Sequence, residues 1–93
     1  MRERWWGGSG RRVPELAVEG DAAVPAEEAL VVDGVGDLRA IAEAFEAGRP
    51  VVVRAGSAEE VRAALARPEV AAVLVPEERR ELLELDLTEL TYG

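Results

Sequence analysis

The stretch that most constrains the fold is Pro50 to Glu77, PVVVRAGSAEEVRAALARPEVAAVLVPE. Val51-Val52-Val53 is a β-branched run that follows a proline. A run apolar on both faces suits a strand covered on both sides. Gly56 breaks it, and Ser57 with Glu60 three residues later has the form of a capping box. Val61, Ala64 and Leu65 then share one face at helical spacing, while Glu59, Arg62 and Ala66 point elsewhere. Pro68 ends the helix, because it lacks an N–H and restricts Arg67. Val70 to Val75 is a second apolar run, closed by Pro76. Two buried strands joined by one helix most simply form a right-handed βαβ unit with parallel strands.

The residues before it supply a second unit. Leu30-Val31-Val32 reads as a strand and Asp37 as an N-cap. Leu38, Ile41, Ala42 and Phe45 make an i, i+3, i+4, i+7 stripe that predicts a buried helix face. Gly48 suits the C′ position, and Pro50 blocks continuation. The two units share the Val51–Val53 strand. Pro14 to Gly20 alternates Leu16 and Val18 against Glu15, Ala17 and Glu19, which predicts a short, half-exposed edge strand. Asp21 to Glu28 reads as a turn with one helical turn after Pro25. A helix is expected from Glu77 to about Leu83, with acidic side chains in its first turn. Leu83, Leu85 and Leu87 shift toward a period of two, so 85–91 reads as a last strand, with a helix running to Leu90 as the competing reading.

The expected fold is α/β: residues 13–93 form one small domain, a two-layer or three-layer sandwich. It has three or four mostly parallel strands and two to three helices. The sheet order is not set by the pattern. A chain of 93 residues buries a modest share of its surface, which favours good packing or a partner, including a homodimer. Leu82, Leu83, Leu85 and Leu87 in the acid-rich 77–89 segment are candidate anchors for such a contact.

Residues 1–12 read as a flexible Arg/Trp/Gly-rich tail because of Gly7-Gly8-Ser9-Gly10. Trp5 and Trp6 stand between Arg4 and Arg11-Arg12. Aromatics among arginines suit stacking on nucleic-acid bases or seating in a partner's groove. The plainer reading has one tryptophan covering an edge of the core and the arginines solvated.

Composition excludes several chemistries. There are no cysteines and no histidines, so disulfides, thiolate chemistry, zinc–sulfur sites and Ser–His catalysis are ruled out. Absence of cysteine makes a cytoplasmic location the default expectation. The start lacks an apolar segment of signal type, and the chain has no run near 18 apolar residues, so no membrane association is expected. All 11 basic residues are arginines, and lysine, asparagine and glutamine are also absent. A high-GC or thermophilic source accounts for this, and so does a designed sequence with a restricted alphabet. The formal net charge of −8 repels phosphate backbones on average, which leaves the N-terminal arginines as the place for RNA contact.

Candidate ligand residues lie in the expected βα loops. Gly34-x-Gly36 sits where a dinucleotide-binding fingerprint would, but Arg39 holds the place of its third glycine. A tight strand–helix turn accounts for both glycines. Arg54, Gly56 and Ser57 fall at the carboxyl end of the central strand, where parallel sheets bind ligands and helix N-termini receive phosphate. Asp33 and Glu77 are residue types that hold a hard cation, but Asp37 and Ser57 are explained as caps. No catalytic residue, metal site or cofactor is assigned.

Four short strings carry a family resemblance: Ala55-Gly56, Val61-Arg62-Ala63-Ala64, Pro68-Glu69-Val70 and Val75-Pro76-Glu77. Over residues 50–78 the chain resembles the p30 protein subunit of ribonuclease P, a TIM-barrel-like protein related to the PHP hydrolases. Glu15 to Asp21 is similar to the first strand of such barrels, where metal-binding relatives carry two histidines and this chain has Ala17 and Glu19. The resemblance implies a noncatalytic subunit that, with a protein partner, helps an RNA enzyme remove tRNA 5′ leaders. Trp5, Trp6, Arg11, Arg12 and Arg62 are then candidate partner or RNA contacts, with Arg54 also placed to meet a phosphate. Two readings therefore compete: a noncatalytic interaction or scaffold domain, and a nucleotide- or phosphate-binding module built on Gly34, Gly36, Arg54, Gly56 and Ser57. A designed domain with no evolved function is the third.

Overall fold

The computed structural model of the protein describes residues 3–84. The chain opens with a hairpin: β1 (Glu3–Trp5) pairs antiparallel with β2 (Arg12–Pro14), Trp5 opposite Arg12. Then follow β3 (Leu16–Val18), β4 (Leu30–Asp33), α1 (Leu38–Glu46), β5 (Val51–Arg54), α2 (Ala58–Leu65) and β6 (Ala72–Val75). Strands β3 to β6 form one parallel sheet in the order β3-β6-β5-β4. The α/β class, the two βαβ units sharing β5 and the edge position of β3 are as the sequence implies.

The triple valine is buried because the sheet is covered on both faces. Val51 and Val53 join Val73, Val75, Ile41, Val61 and Leu65 under the two helices. Val52 points the other way, with Ala72 and Leu74, toward Trp6, Val13, Val24 and Ala29. That second cover is not helical. It consists of the hairpin and the 24–29 segment, which includes a 3-10 turn at Ala26–Glu28.

Four expectations are corrected. The flexible tail expected over residues 1–12 does not hold for residues 3–12, which form the hairpin. Trp6 is 1% exposed in the core and anchors them. Burial of one indole outweighs the flexibility of the glycine run. Strand β3 keeps Leu16 and Val18 half-buried, but the side expected to be exposed is covered. Ala17 packs on the Trp6 side, and Glu15 is buried because Arg4 reaches it. On α1, Ile41 and Ala44 face the core while Leu38 and Phe45 are exposed. Ala44 completes the buried edge that the stripe assigned to Phe45. Finally, Glu77–Glu84 is not an α-helix but 3-10 turns kinked at Arg79, anchored by Leu82. Arg79 is drawn away from helical geometry to donate to the Gly56 carbonyl at 3.0 Å and to Glu81 at 2.9 Å. Leu85, Leu87 and the 85–91 strand reading lie outside the described residues.

Candidate functional site

A parallel sheet has two chemically different ends, and each carries a cleft here. The carboxyl ends of β4, β5 and β6 open on about 520 Å³, lined by Glu19, Asp33, Arg54, Gly56, Glu60 and Pro76 among others. Most of the ligand residues expected from sequence gather at this end. Their polar groups are engaged within the fold. Arg54 donates to Glu19 at 3.1 Å. Ser57 Oγ accepts from the Glu60 N–H at 3.2 Å, and its hydroxyl donates to the Glu60 carboxylate at 3.2 Å. Asp37 likewise accepts from the Ala40 N–H at 3.0 Å and caps α1.

The glycines follow the same logic. Gly34 has φ +78°, and a Cβ placed on it meets nothing within 4 Å, so backbone conformation selects glycine there. Gly36 and Gly56 likewise lack a close neighbour that a side chain would displace, the nearest atom to Gly56 lying 4.0 Å away on Glu60. Of the two carboxylates suggested for a cation, Asp33 lines the cleft, whereas Glu77 pairs with Arg80 at 3.4 Å. Among the described residues no cluster of three metal-ligating side chains occurs. Counted by charge, this cleft is acidic: three carboxylates face one arginine that already has a partner. Ser57→Ala should lower stability by about 1 kcal/mol, the usual loss for an N-cap hydroxyl. Urea denaturation measures it, and an unchanged midpoint would mean the cap is dispensable.

The amino ends of the strands differ. A cleft of about 490 Å³ lies between the hairpin, the end of α1 and the segment leading into β6. Trp5 from β1, Arg12 from β2, Phe45 from α1, Arg49 from the α1–β5 connection and Pro68 line it, with Glu3, Arg4 and Glu69. Trp5 is 61% exposed and Phe45 53% exposed. Because Trp5 and Arg12 are cross-strand partners, their side chains share a face, and the Arg12 guanidinium sits 5.1 Å from the indole centroid. The hairpin is seated against the far wall by backbone. The Gly8 N–H donates to the Gly48 carbonyl at 2.9 Å, and a Cβ on Gly7 (φ +56°) would lie 2.8 Å from the Pro50 nitrogen. Gly7 is therefore required for close approach as well as for its left-handed backbone.

The arginines here divide by role. Arg4 is structural: it donates to Glu15 and to the carbonyls of Leu65, Arg67 and Val70. Glu69 is paired with Arg67 at 3.4 Å. Arg49 donates to the Ala29 carbonyl at 3.3 Å, while the Arg12 guanidinium lies over the indole ring of Trp5.

The N-terminal candidates thus separate. Trp5 and Arg12 line this cleft, Trp6 is interior, and Arg11 is tied to Glu28 at 2.6 Å. Arg62 is exposed on α2 and lines neither cleft. Sequence reasoning missed Phe45 and Arg49. One signal was present: once Trp6 is inside, its neighbour Trp5 must face out.

Outside both clefts, the Arg79 guanidinium hydrogen-bonds Glu81 and holds its carboxyl below the ordinary range. No helix among the described residues is long and apolar enough to cross a membrane. Comparison with known families, curated proteins and solved structures finds no match to this chain.

Proposed function

We propose that this chain is a noncatalytic interaction domain whose working face is the amino-end cleft. The observation that carries the reading is the joint exposure of Trp5 and Phe45 in one cleft of about 490 Å³. Clefts of about 300–1,000 Å³ with aromatic walls and a few polar groups are the usual form of ligand sites. Solvating two aromatic rings is unfavourable, so a fold that leaves both exposed beside arginines gains most from a partner that covers them. The auxiliary role in tRNA 5′ processing implied by residues 50–78 belongs to this class of function.

The competing phosphate-binding reading has less support. Arg54 would have to leave Glu19, and Ser57 would have to give up its cap. Backbone amide shifts in NMR spectra distinguish the two. Titration with short RNA, a proline-rich peptide, ADP and inorganic phosphate should perturb Trp5, Gly7, Phe45 and Ala71. Perturbation confined to Gly34, Gly36, Arg54, Gly56 and Ser57, produced by ADP or phosphate, would overturn the proposal in favour of the phosphate module.

A further inference from the structure

We infer that the occupant of the amino-end cleft is single-stranded nucleic acid, with unpaired bases on Trp5 and Phe45 and the flanking phosphates on Arg12 and Arg49. The inference rests on the reading of this cleft as the working face and adds the chemical class of its ligand.

Charge supports it first. The chain has a formal net charge of −8. In this cleft Glu69 pairs with Arg67 through Oε2 and Arg4 pairs with Glu15, so by charge Arg12 and Arg49 face one remaining carboxylate, Glu3. The excess is positive at this end, whereas the opposite cleft is acidic. An anionic ligand is thus directed to the amino end.

The arrangement of the rings supports it second. Trp5 and Phe45 come from different elements, β1 and α1, and line one wall system. Every base has a π-face, so two aromatic platforms from different elements, one with Arg12 over it and both in a cleft that Arg49 also lines, suit a flexible strand whose bases can be splayed apart. The Arg12 guanidinium lies over one face of the Trp5 ring, 5.1 Å from its centroid, so a base would stack on the opposite face while Arg12 meets the neighbouring phosphate.

The global charge sets the mode of binding. A duplex hides its base faces and presents dense phosphate to an acidic body, so it should be excluded. Binding should be carried by stacking over one or two nucleotides, with a shallow salt dependence. With two phosphate contacts, the slope of log K against log salt should be about −1.4, from roughly −0.7 per contact on single strands.

The test uses the full chain, a fluorescently labelled eight-nucleotide RNA of mixed sequence, its duplex and a proline-rich peptide, all followed by anisotropy. Binding of the single strand but not the duplex is expected. Trp5→Ala should weaken it roughly tenfold to a hundredfold, Phe45→Ala comparably, and Trp5→Phe much less. Trp5 is exposed, so the melting temperature of Trp5→Ala should match the parent, which separates lost binding from lost fold. Single-strand affinity that is undetectable at millimolar protein, or unchanged in both alanine variants, or no greater than duplex affinity, would overturn the inference. Trp5-dependent capture of the peptide without RNA binding would also overturn it, while leaving the interaction reading intact. Absence of any ligand effect at Trp5 and Phe45 would remove both.

Discussion

Trp6→Ala should lower the stability of the protein by about 3–5 kcal/mol, the range for truncating a buried tryptophan. The indole is 1% exposed and packs with Val13, Ala17, Val24 and Leu74 on the sheet face that the helices leave open. Its Nε1 also points at Glu28, 3.4 Å away, so the variant removes a donor from a carboxylate that Arg11 shares. A domain of this size commonly has about 5–15 kcal/mol in total, so the variant should be close to unfolding at physiological temperature. In urea denaturation the midpoint should fall sharply. Trp5→Ala, one residue away, should leave it nearly unchanged. If Trp6→Ala shifts stability by less than about 1 kcal/mol, the hairpin is not part of the cooperative core and the second sheet face has some other cover.

That contrast marks the boundary of what was legible in the chain. Strands β4, β5 and β6, both helices and both caps follow from local signals: β-branched runs, Asp37, Ser57 and the prolines at 50, 68 and 76. These depend on neighbours within a few residues, and such signals survive any tertiary arrangement. The hairpin depends on contacts with residues far along the chain. Trp6 is ordered by Val52 and Leu74, and Gly8 by Gly48. Read alone, the Gly7-Gly8-Ser9-Gly10 run carries only its intrinsic freedom.

The candidate site follows the same division. The βα-loop residues were legible because parallel sheets place loops at their carboxyl ends by topology. Their polar groups were not, because pairing of Arg54 with Glu19 spans 35 positions and no local pattern encodes it. Phe45 was misread for a related reason. A helical stripe gives the direction of the apolar face to within a residue or two, and here the sheet meets Ile41 and Ala44. The same small rotation that exposes Phe45 brings it into the cleft with Trp5. The aromatic pair is therefore a property of the packing rather than of either segment.

Arg4→Ala should cost about 3 kcal/mol, a large effect for an arginine in a segment that reads as a tail. Exposed ion pairs contribute about 0–1 kcal/mol, but Arg4 is not one. Its side chain is 24% exposed and that of Glu15 only 10%. Three of its bonds go to carbonyls around the end of α2, where unpaired acceptors and the negative end of the helix dipole favour a cation. Truncation strands the Glu15 carboxylate in the interior, and removing one partner of a buried pair is far costlier than removing both. Arg4→Met with Glu15→Leu should therefore recover much of the loss, whereas Arg4→Lys should recover only part. A single ammonium cannot reach acceptors spread over Glu15, Leu65, Arg67 and Val70 with the fork geometry of a guanidinium. Urea midpoints for the four proteins test this directly. Equal stability of Arg4→Ala and the parent would show that the α2 carbonyls and Glu15 are satisfied by water. Equal loss in Arg4→Ala and the double variant would place the cost in packing rather than in the stranded charge.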